Sequence, residues 1–193
     1  MVRLPAASPT HAPNELTFWS IDGYLAPVKI RQILDASADL LADTGLSSWT
    51  IDGVATRARC AKGLVLYHYR TKQLLLKATA DFLAGRAASD RLAAVRGDEG
   101  AVLDRLWTAL VQDVESGRFA GRVGLSAMGL PGSLPQGLRD RLAQSLGIEP
   151  VALGSEKAIE AVLDGLSLQL LAGIPAEQAR ECYDRLWLGL IAP

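Results

Sequence analysis

A basic segment is the part of the sequence best suited to chemistry on a polyanion. Between Asp52 and Asp81 the chain carries no acidic residue, although the whole 193-residue protein has a net charge of -1. The segment holds His68 and six bases: Arg57, Arg59, Lys62, Arg70, Lys72 and Lys77. Lysine and arginine neutralise phosphates and release counterions from nucleic acids. The sequence therefore predicts a local polyanion-binding surface, with an ordinary solvated face as the alternative.

The residues that catalysis or metal binding requires are scarce. The histidines are His11 and His68, and the cysteines are Cys60 and Cys182. These are too few for a disulfide framework or a structural zinc site. Residues 124–128 match a nucleophile elbow at four positions, but they lie in a helical pattern with no strand before them and no plausible histidine base. We therefore expect no enzymatic activity, no metal and no cofactor.

The basic segment falls within a predicted set of three short helices. Apolar residues at three- and four-residue steps predict a first helix over 28–43, which Gly45 should end. Thr50 is a suitable N-cap for a second short helix, and a break near Arg59 separates it from a third at 61–68. Short helices with tight connections, and with bases on the last two, predict a helix-turn-helix.

Residues 28–77 also carry a specific motif. Its most distinctive stretch is Ala61–Leu74, AKGLVLYHYRTKQL, and its other matching residues are Ile33–Ala36, Gly45, Thr50, Val54, Ala55 and Ala58. These residues resemble the DNA-binding domain of the TetR family of bacterial transcriptional regulators. Two positions depart from the family pattern: Arg59 stands where glycine is usual, and Leu66 stands at the first of the usual aromatic positions. The resemblance implies an all-helical C-terminal domain that dimerises and binds a small effector.

The predicted helix-turn-helix provides candidate residues for contacts with DNA. Lys62 and Lys72 would neutralise phosphates, while Leu64 and Tyr67 lie three apart on one face that could enter a major groove. Taken alone, each of these side chains would also suit a protein core or a solvated surface. Leu66 is assigned to the core. The predicted DNA-binding residues are Thr50, Ala61, Lys62, Gly63, Leu64, Tyr67, His68 and Lys72.

The remaining sequence predicts six helices, over 73–95, 100–116, 119–128, 134–146, 155–172 and 175–190. The fifth has a stripe of small residues beside a stripe of large apolar residues, so two of its faces need partners. Small residues let helix axes approach closely, which predicts a two-fold dimer of four helices, with a buried helix in a monomer as the alternative. The predicted interface comprises Ala158, Ala161, Gly165, Leu168, Ala172, Tyr183 and Leu190.

A ligand pocket is predicted among the large apolar residues of this C-terminal part, although most of them also suit a plain core. The candidates are Trp107, Leu110, Val111, Phe119, Val123, Met128 and Trp187. Few ionisable residues occur in the apolar stripes of these helices, so we expect an apolar or aromatic effector.

Together these patterns predict an all-α protein with a flexible N-terminal arm at 1–26, a helix-turn-helix domain at 27–75 and a helical effector-binding and dimerisation domain at 76–193. The sequence lacks the apolar core of a signal peptide and any membrane-spanning length, so a reducing, cytoplasmic location is expected. We predict a homodimeric repressor that binds a palindromic operator in double-stranded DNA and is released by a small molecule. A helical protein-interaction adaptor without sequence-specific DNA binding is the alternative.

Overall fold

The chain folds as an all-α protein. A computed structural model describes residues 15–96, 101–132 and 137–191. A short 3-10 turn at Pro150–Leu153 precedes the last two α-helices. The α-helices are α1 (Glu15–Ser48), α2 (Ile51–Arg57), α3 (Lys62–His68), α4 (Lys72–Ala94), α5 (Val102–Glu115), α6 (Arg118–Ala127), α7 (Leu138–Leu146), α8 (Glu156–Leu171) and α9 (Ala176–Ile191).

The first helix is longer than the apolar periodicity indicated. Its backbone is helical from Glu15, so residues 15–26 of the segment assigned to a flexible arm form the start of α1. The rest of that segment, 1–14, lies outside the described residues. The prediction that this helix begins at Val28 is therefore wrong at its N-terminal end. The predicted break at Gly45 is confirmed, because Gly45 leaves helical geometry at φ 69° and ψ 175°, and only a short helical stretch continues from it to Ser48.

Side-chain caps fix where the helices of the N-terminal part begin. The Thr50 hydroxyl accepts a hydrogen bond from the Gly53 amide at 3.0 Å, as expected for the N-cap of α2. The Thr71 hydroxyl accepts one from the Leu74 amide at 3.1 Å and starts α4. These caps leave only short connections on either side of α3.

Two apolar clusters share helix α4. The first cluster joins α1, α2 and α3 and includes Leu75 and Leu83 of α4. The second joins α5, α7, α8 and α9 and includes Ala94 at the end of α4. Since α4 begins four residues after the last residue of α3 and reaches both clusters, it connects the helix-turn-helix to the C-terminal helices, and α6 also contacts the N-terminal part through Leu125 in the first cluster.

The turn between α2 and α3 contains the only left-handed non-glycine residue among those described, Arg59 with φ 50°. This conformation brings Cβ too close to the neighbouring carbonyl and costs roughly 1–2 kcal/mol. We therefore expect Arg59→Gly to raise the free energy of unfolding by about 1 kcal/mol in urea titrations. Arg59→Lys is the matched control, because it keeps both Cβ and the charge. Equal stability of the two variants would contradict this account.

Candidate functional site

Backbone hydrogen bonds hold the turn between α2 and α3. The Arg59 amide donates to the Thr56 carbonyl at 3.1 Å, and the Cys60 amide donates to the Ala55 carbonyl at 3.0 Å. Val65 anchors α3 from the other side, since its side chain is fully buried in the first apolar cluster. The bonds and the anchor together set the direction of α3 relative to α2, which is the geometry of a helix-turn-helix.

The outward face of α3 is free in this chain. The Tyr67 side chain is 79% exposed. Ala61, Lys62 and Gly63 are exposed as well, and Leu64 is half-buried. A Cβ at Gly63 would meet no atom of the protein within 4 Å, so nothing inside the chain requires a glycine there. Close approach of an external backbone would give that glycine a role.

Two lysines predicted to contact phosphate flank α3. Lys62 Nζ lies 2.9 Å from Asp52 Oδ2 in an exposed ion pair. Such pairs are worth only about 0–1 kcal/mol, so Lys62 can exchange its partner for a phosphate at little cost. Lys72 Nζ donates to the Trp49 carbonyl at 3.3 Å and lies 5.4 Å from the centre of the Trp49 ring. Both cations are exposed, Lys62 as the first residue of α3 and Lys72 as the first residue of α4.

Thr50 and His68 have partners within the domain that still leave polar hydrogens available. The Thr50 hydroxyl accepts in the cap of α2, and a hydroxyl can donate its own hydrogen at the same time. The His68 ring lies edge-on to Tyr67, with centroids 5.2 Å apart, and is half-buried. Either group could donate to a phosphate at the edge of the α3 face.

Leu66 is not in the core, contrary to the sequence prediction. Its side chain is 37% exposed. The buried face of α3 is defined by Val65, and Tyr69, which directly follows the last residue of α3, packs half-buried against the same cluster. Burial also raises the pKa of the Tyr69 hydroxyl. Leu66 falls outside this face and adds an apolar side chain to the exposed one.

Sequence reasoning missed Trp49, which supports the start of α2. Its side chain is fully buried, and its indole Nε1 donates to the carbonyl and hydroxyl of Ser37, at 3.2 Å each. A signal was present: Trp49 directly precedes the N-cap Thr50, and buried Val54 lies four residues after that cap. An apolar pair at these two positions is the pattern of a hydrophobic staple.

A buried set of charged side chains lies between the C-terminal helices. Arg91 of α4 donates to Glu160 of α8 and, through Nη2, to Asp164 Oδ1 at 2.7 Å. Arg122 of α6 donates to Asp113 Oδ2 of α5 at 2.7 Å. We call this set the ionic cluster: Arg91, Asp113, Arg118, Arg122, Glu160 and Asp164. It links four helices, and the expectation that their interior stripes are poor in ionisable residues is wrong.

Burial is the largest cause of the pKa shifts of two residues in this cluster, Glu160 and Arg122. It raises the pKa of the Glu160 carboxyl, while the adjacent Arg91 lowers it by a smaller amount. Burial also lowers the pKa of the Arg122 guanidinium, against the attraction of Asp113. Burial therefore disfavours the ionised form of both Glu160 and Arg122.

A cavity of about 510 Å³ opens beside the ionic cluster. Ala84 of α4 and Leu168 of α8 form part of its wall, together with Pro131 and Gly132 from the segment after α6. Arg122 and Asp164 of the ionic cluster line it too, so the cavity presents a cation and an anion as well as apolar surface. Its volume lies within the range of small-molecule sites, about 300–1,000 Å³.

Only part of the predicted pocket lies at this cavity. Phe119 and Val123 of α6 line it, as expected. Met128 is exposed, and Val111 is half-buried without lining the cavity. Phe119 also contacts Arg122, whose guanidinium lies 5.1 Å from the centre of the phenyl ring.

The other predicted pocket residues form an aromatic core around Tyr183. The Trp107 and Trp187 rings lie 5.3 and 5.8 Å from the Tyr183 ring, and Leu110 is buried in the same cluster. The Tyr183 hydroxyl donates to the Leu103 carbonyl at 2.7 Å, and burial raises its pKa. The assignment of Tyr183 to a dimer interface is therefore wrong, because its side chain is used inside the subunit.

The small-residue stripe of α8 faces out of the subunit, except that Leu168 also lines the cavity beside the ionic cluster. Ala158, Ala161, Leu168 and Ala172 are exposed, and a Cβ at Gly165 would have no neighbour within 4 Å. The side chain of Leu190, which was placed at the same interface, lies outside the described part of the chain. The structure thus leaves one face of α8 without a partner in the described residues.

Comparison with known proteins gives the helix-turn-helix a family. The model of the family described as bacterial regulatory proteins, tetR family, matches residues 33–79. The N-terminal domain belongs to this tetR family. The match includes the capped start of α2, the turn at Arg59 and the whole of α3. The match therefore covers the exposed face of α3.

Curated relatives match one short part of the chain. HTH-type transcriptional regulators BetI from Klebsiella pneumoniae and Cronobacter sakazakii are each 33% identical over 55 residues, which is 28% of this chain. The chain matches 28% and 27% of the length of these relatives. Their similarity therefore covers less than a third of the chain and of the relatives.

Solved structures extend the similarity to the whole fold. A TetR-family transcriptional regulator from Rhodococcus sp. has a TM-score of 0.62 at 22% identity over 86% of this chain and all of its own. One from Streptomyces coelicolor has a TM-score of 0.54 at 23% identity, covering 84% and 97%. The multidrug binding protein EbrR complexed with imidazole has a TM-score of 0.53 at 25% identity, covering 83% and 90%. The tetR-type domain is thus followed by C-terminal helices in a tetR-family arrangement.

Within the described ranges, no helix combines the length and apolar character that crossing a membrane requires.

Proposed function

We propose that this protein is a transcriptional repressor that binds an inverted-repeat DNA operator as a homodimer and dissociates when a small effector binds. The exposed outward face of α3 in a tetR-type helix-turn-helix carries the proposal. Tyr67 on this face is available to bases, while Gly63 and Lys62 are available to the phosphate backbone. Such a protein would act in the cytoplasm.

The dimer is supported by the free face of α8. Small residues on an exposed helix allow a second copy to approach closely, and a two-fold contact uses the same patch twice. We assign DNA reading to 27–75, and effector binding and dimerisation to 76–193. We call the helix-turn-helix domain of each subunit, residues 27–75, its DNA-binding head. Two heads related by a two-fold axis would bind the two halves of an inverted repeat.

The effector is supported by the cavity beside the ionic cluster. Ala84 of α4 lines it only twelve residues after Lys72, at which α4 begins. A ligand that favours a different position of α4 would change the spacing of the heads, and linkage requires DNA to weaken ligand binding by the same factor. Imidazole in complex with EbrR, a structural relative, is consistent with small-molecule binding in this fold.

Two head variants should change DNA binding in different ways. Lys62→Ala should weaken binding to all duplexes and reduce the salt slope by about one, because a phosphate contact carries charge but no base identity. Tyr67→Ala should change the base preference at one position of each half-site, by about 1–3 kcal/mol. Selection of bound duplexes from a random pool identifies the operator, and titrations at several salt concentrations then measure both effects.

Arg185→Ala is the matched control, because Arg185 is an exposed cation on α9, far along the chain from the head. It should leave both the salt slope and the base preference unchanged. A pool from which wild-type protein enriches no inverted repeat would favour the protein-interaction adaptor. If Tyr67→Ala lowers the affinity equally for all DNA sequences, Tyr67 makes no base-specific contact.

Filling or charging the α8 stripe should separate the subunits. Gly165→Leu adds bulk and Ala161→Glu adds charge on the free face, so either should shift the protein from dimer to monomer in sedimentation velocity at micromolar concentration. Tight operator binding should be lost while weak nonspecific binding remains. Ala152→Glu, an exposed position in the 3-10 turn before α8, should remain dimeric. A monomeric wild type, or variants that stay dimeric, would place the interface elsewhere.

A further inference from the structure

We infer that the cavity beside the ionic cluster binds a neutral ligand in which an amide-type group, such as a carboxamide or lactam, is attached to an apolar body. The inference rests on the proposed effector role of this cavity and adds the chemical class of the ligand. It replaces the purely apolar or aromatic effector that the sequence suggested.

The cavity places a hydrogen-bond donor beside an acceptor. Arg122 Nη2 lies 3.9 Å from Asp164 Oδ1, and both residues line the cavity. Arg122 Nε is buried without a hydrogen-bond partner among the described residues. Asp164 is engaged by Arg91 through Oδ1, and its side chain remains 39% exposed. A ligand that offers both an acceptor and a donor can therefore satisfy this pair.

The charges of the cluster disfavour a ligand with a net charge. Each arginine of the set is paired with at least one of its carboxylates, and Arg118 also lies 3.8 Å from Asp90, so no charge of the set lacks a counter-charge when all are ionised. A charged ligand would lose hydration on entering this partly desolvated site. It would find no unpaired group of opposite charge to offset that loss. A carboxylate directed at Arg122 would also face Asp164, and an ammonium directed at Asp164 would face Arg91 and Arg122.

An amide group matches the pair in both respects. Its carbonyl oxygen accepts from the Arg122 guanidinium, and its N–H donates to the Asp164 carboxylate, without a change in net charge. Apolar surface from Phe119, Val123 and Leu168 remains for the body of the ligand. A buried donor or acceptor left unpaired costs about 1–3 kcal/mol, so a hydrocarbon lacking the amide should bind more weakly.

Three probes with the same apolar body test the ligand class. Isothermal titration calorimetry compares 1-naphthylacetamide, 1-naphthylacetate and the cation 1-naphthylethylamine on the full chain. The amide should bind about ten-fold or more tightly than either ion, since each ion leaves one member of the pair unsatisfied. Tighter binding of the acetate or the amine, equal binding of all three, or no binding of any would overturn the inference.

Two variants tie the preference to these residues. Asp164→Asn removes one negative charge while keeping the side-chain shape, so the preference should shift toward the acetate by about ten-fold. Val123→Trp should fill the cavity and abolish amide binding, whereas Val151→Trp, at an exposed position, should not. An unchanged preference in Asp164→Asn would overturn the role of the pair.

DNA binding is measured separately, so the two proposals can fail independently. A protein that binds an inverted repeat but prefers a charged probe would retain the proposed function and lose this inference. A protein that binds the amide but no operator would lose the proposed function alone.

Discussion

Arg91→Met should lower the free energy of unfolding by about 3–5 kcal/mol, because it leaves the buried Glu160 carboxylate without its counter-charge. Arg91 and Glu160 are both almost completely buried, with side-chain exposures of 3% and 7%. Methionine fills much of the same volume, so the loss should reflect charge more than packing. Urea unfolding followed by circular dichroism measures it. Arg185→Met, at an 82% exposed arginine, should stay within about 0.5 kcal/mol of wild type.

The loss should depend on pH. Burial raises the pKa of Glu160, and removing Arg91 removes the group that lowers it, so the folded-state pKa in the variant lies further above the unfolded value. The folded state then holds a proton that the unfolded state has released, and stability falls as pH rises between those two pKa values. The variant should therefore be least destabilised below about pH 4.3, the ordinary pKa of glutamate.

A second substitution separates charge from shape. Arg91→Met combined with Glu160→Leu removes both charges of the buried pair, and replacing whole buried pairs by apolar residues is often neutral. The double variant should recover most of the loss. A double variant as unstable as Arg91→Met alone would mean that the packing of Arg91, and not its charge, stabilises the four helices.

The limits of the N-terminal helices were predictable from the sequence because they depend on residues close together in the chain. Thr50 and Gly45 mark helix limits through local backbone and side-chain geometry, and the structure places both where the sequence did. The exposed face of α3 was predictable from the spacing of Leu64 and Tyr67 and from the family motif. Leu66 was misplaced because α3 buries only the narrow face that holds Val65.

The C-terminal site was hidden because its contacts join distant parts of the chain. Arg91 and Glu160 are 69 residues apart, and each alone has the character of a solvated residue on a helix. The spacing of apolar residues within a single helix does not show that α4 packs against α8, which is what brings Arg91 and Glu160 together. Tyr183 was misplaced for a related reason: whether an apolar face meets its own subunit or a partner depends on which helix packs there.

Gly132→Ala should release DNA without any effector, lowering operator affinity within the range typical of allosteric coupling, about 5- to 150-fold. A Cβ at this position would lie 2.4 Å from the Ala80 carbonyl oxygen and 2.5 Å from Ala84 Cβ. Both contacts belong to α4 and neither can rotate away. The added methyl group should therefore displace α4, which leads directly to α3. Fluorescence anisotropy with labelled operator measures the affinity.

Gly124→Ala is the matched control, because a Cβ there would meet nothing within 4 Å. It should keep operator affinity and gain some stability, since alanine favours a helix over glycine by about 1 kcal/mol. Thermal unfolding separates a shifted helix from a damaged fold: Gly132→Ala should unfold cooperatively and remain dimeric. Unchanged operator affinity would mean that the segment after α6, and not α4, moves to accommodate the methyl group.

Substitution of Lys77 tests whether α4 or the segment after α6 moves in Gly132→Ala. Its Nζ donates to the Pro131 carbonyl at 3.1 Å and to Asp81 Oδ1 at 2.7 Å, so it fastens the segment that contains Gly132 to α4. Lys77→Met would free that segment to lift away. Operator affinity in the double variant should then return toward that of Lys77→Met alone. Persistent release in the double variant would show that steric pressure on Ala80 and Ala84 displaces α4 even without the Lys77 hydrogen bonds. Recovery would show that Lys77 must hold the segment against α4 for the added methyl group to displace that helix.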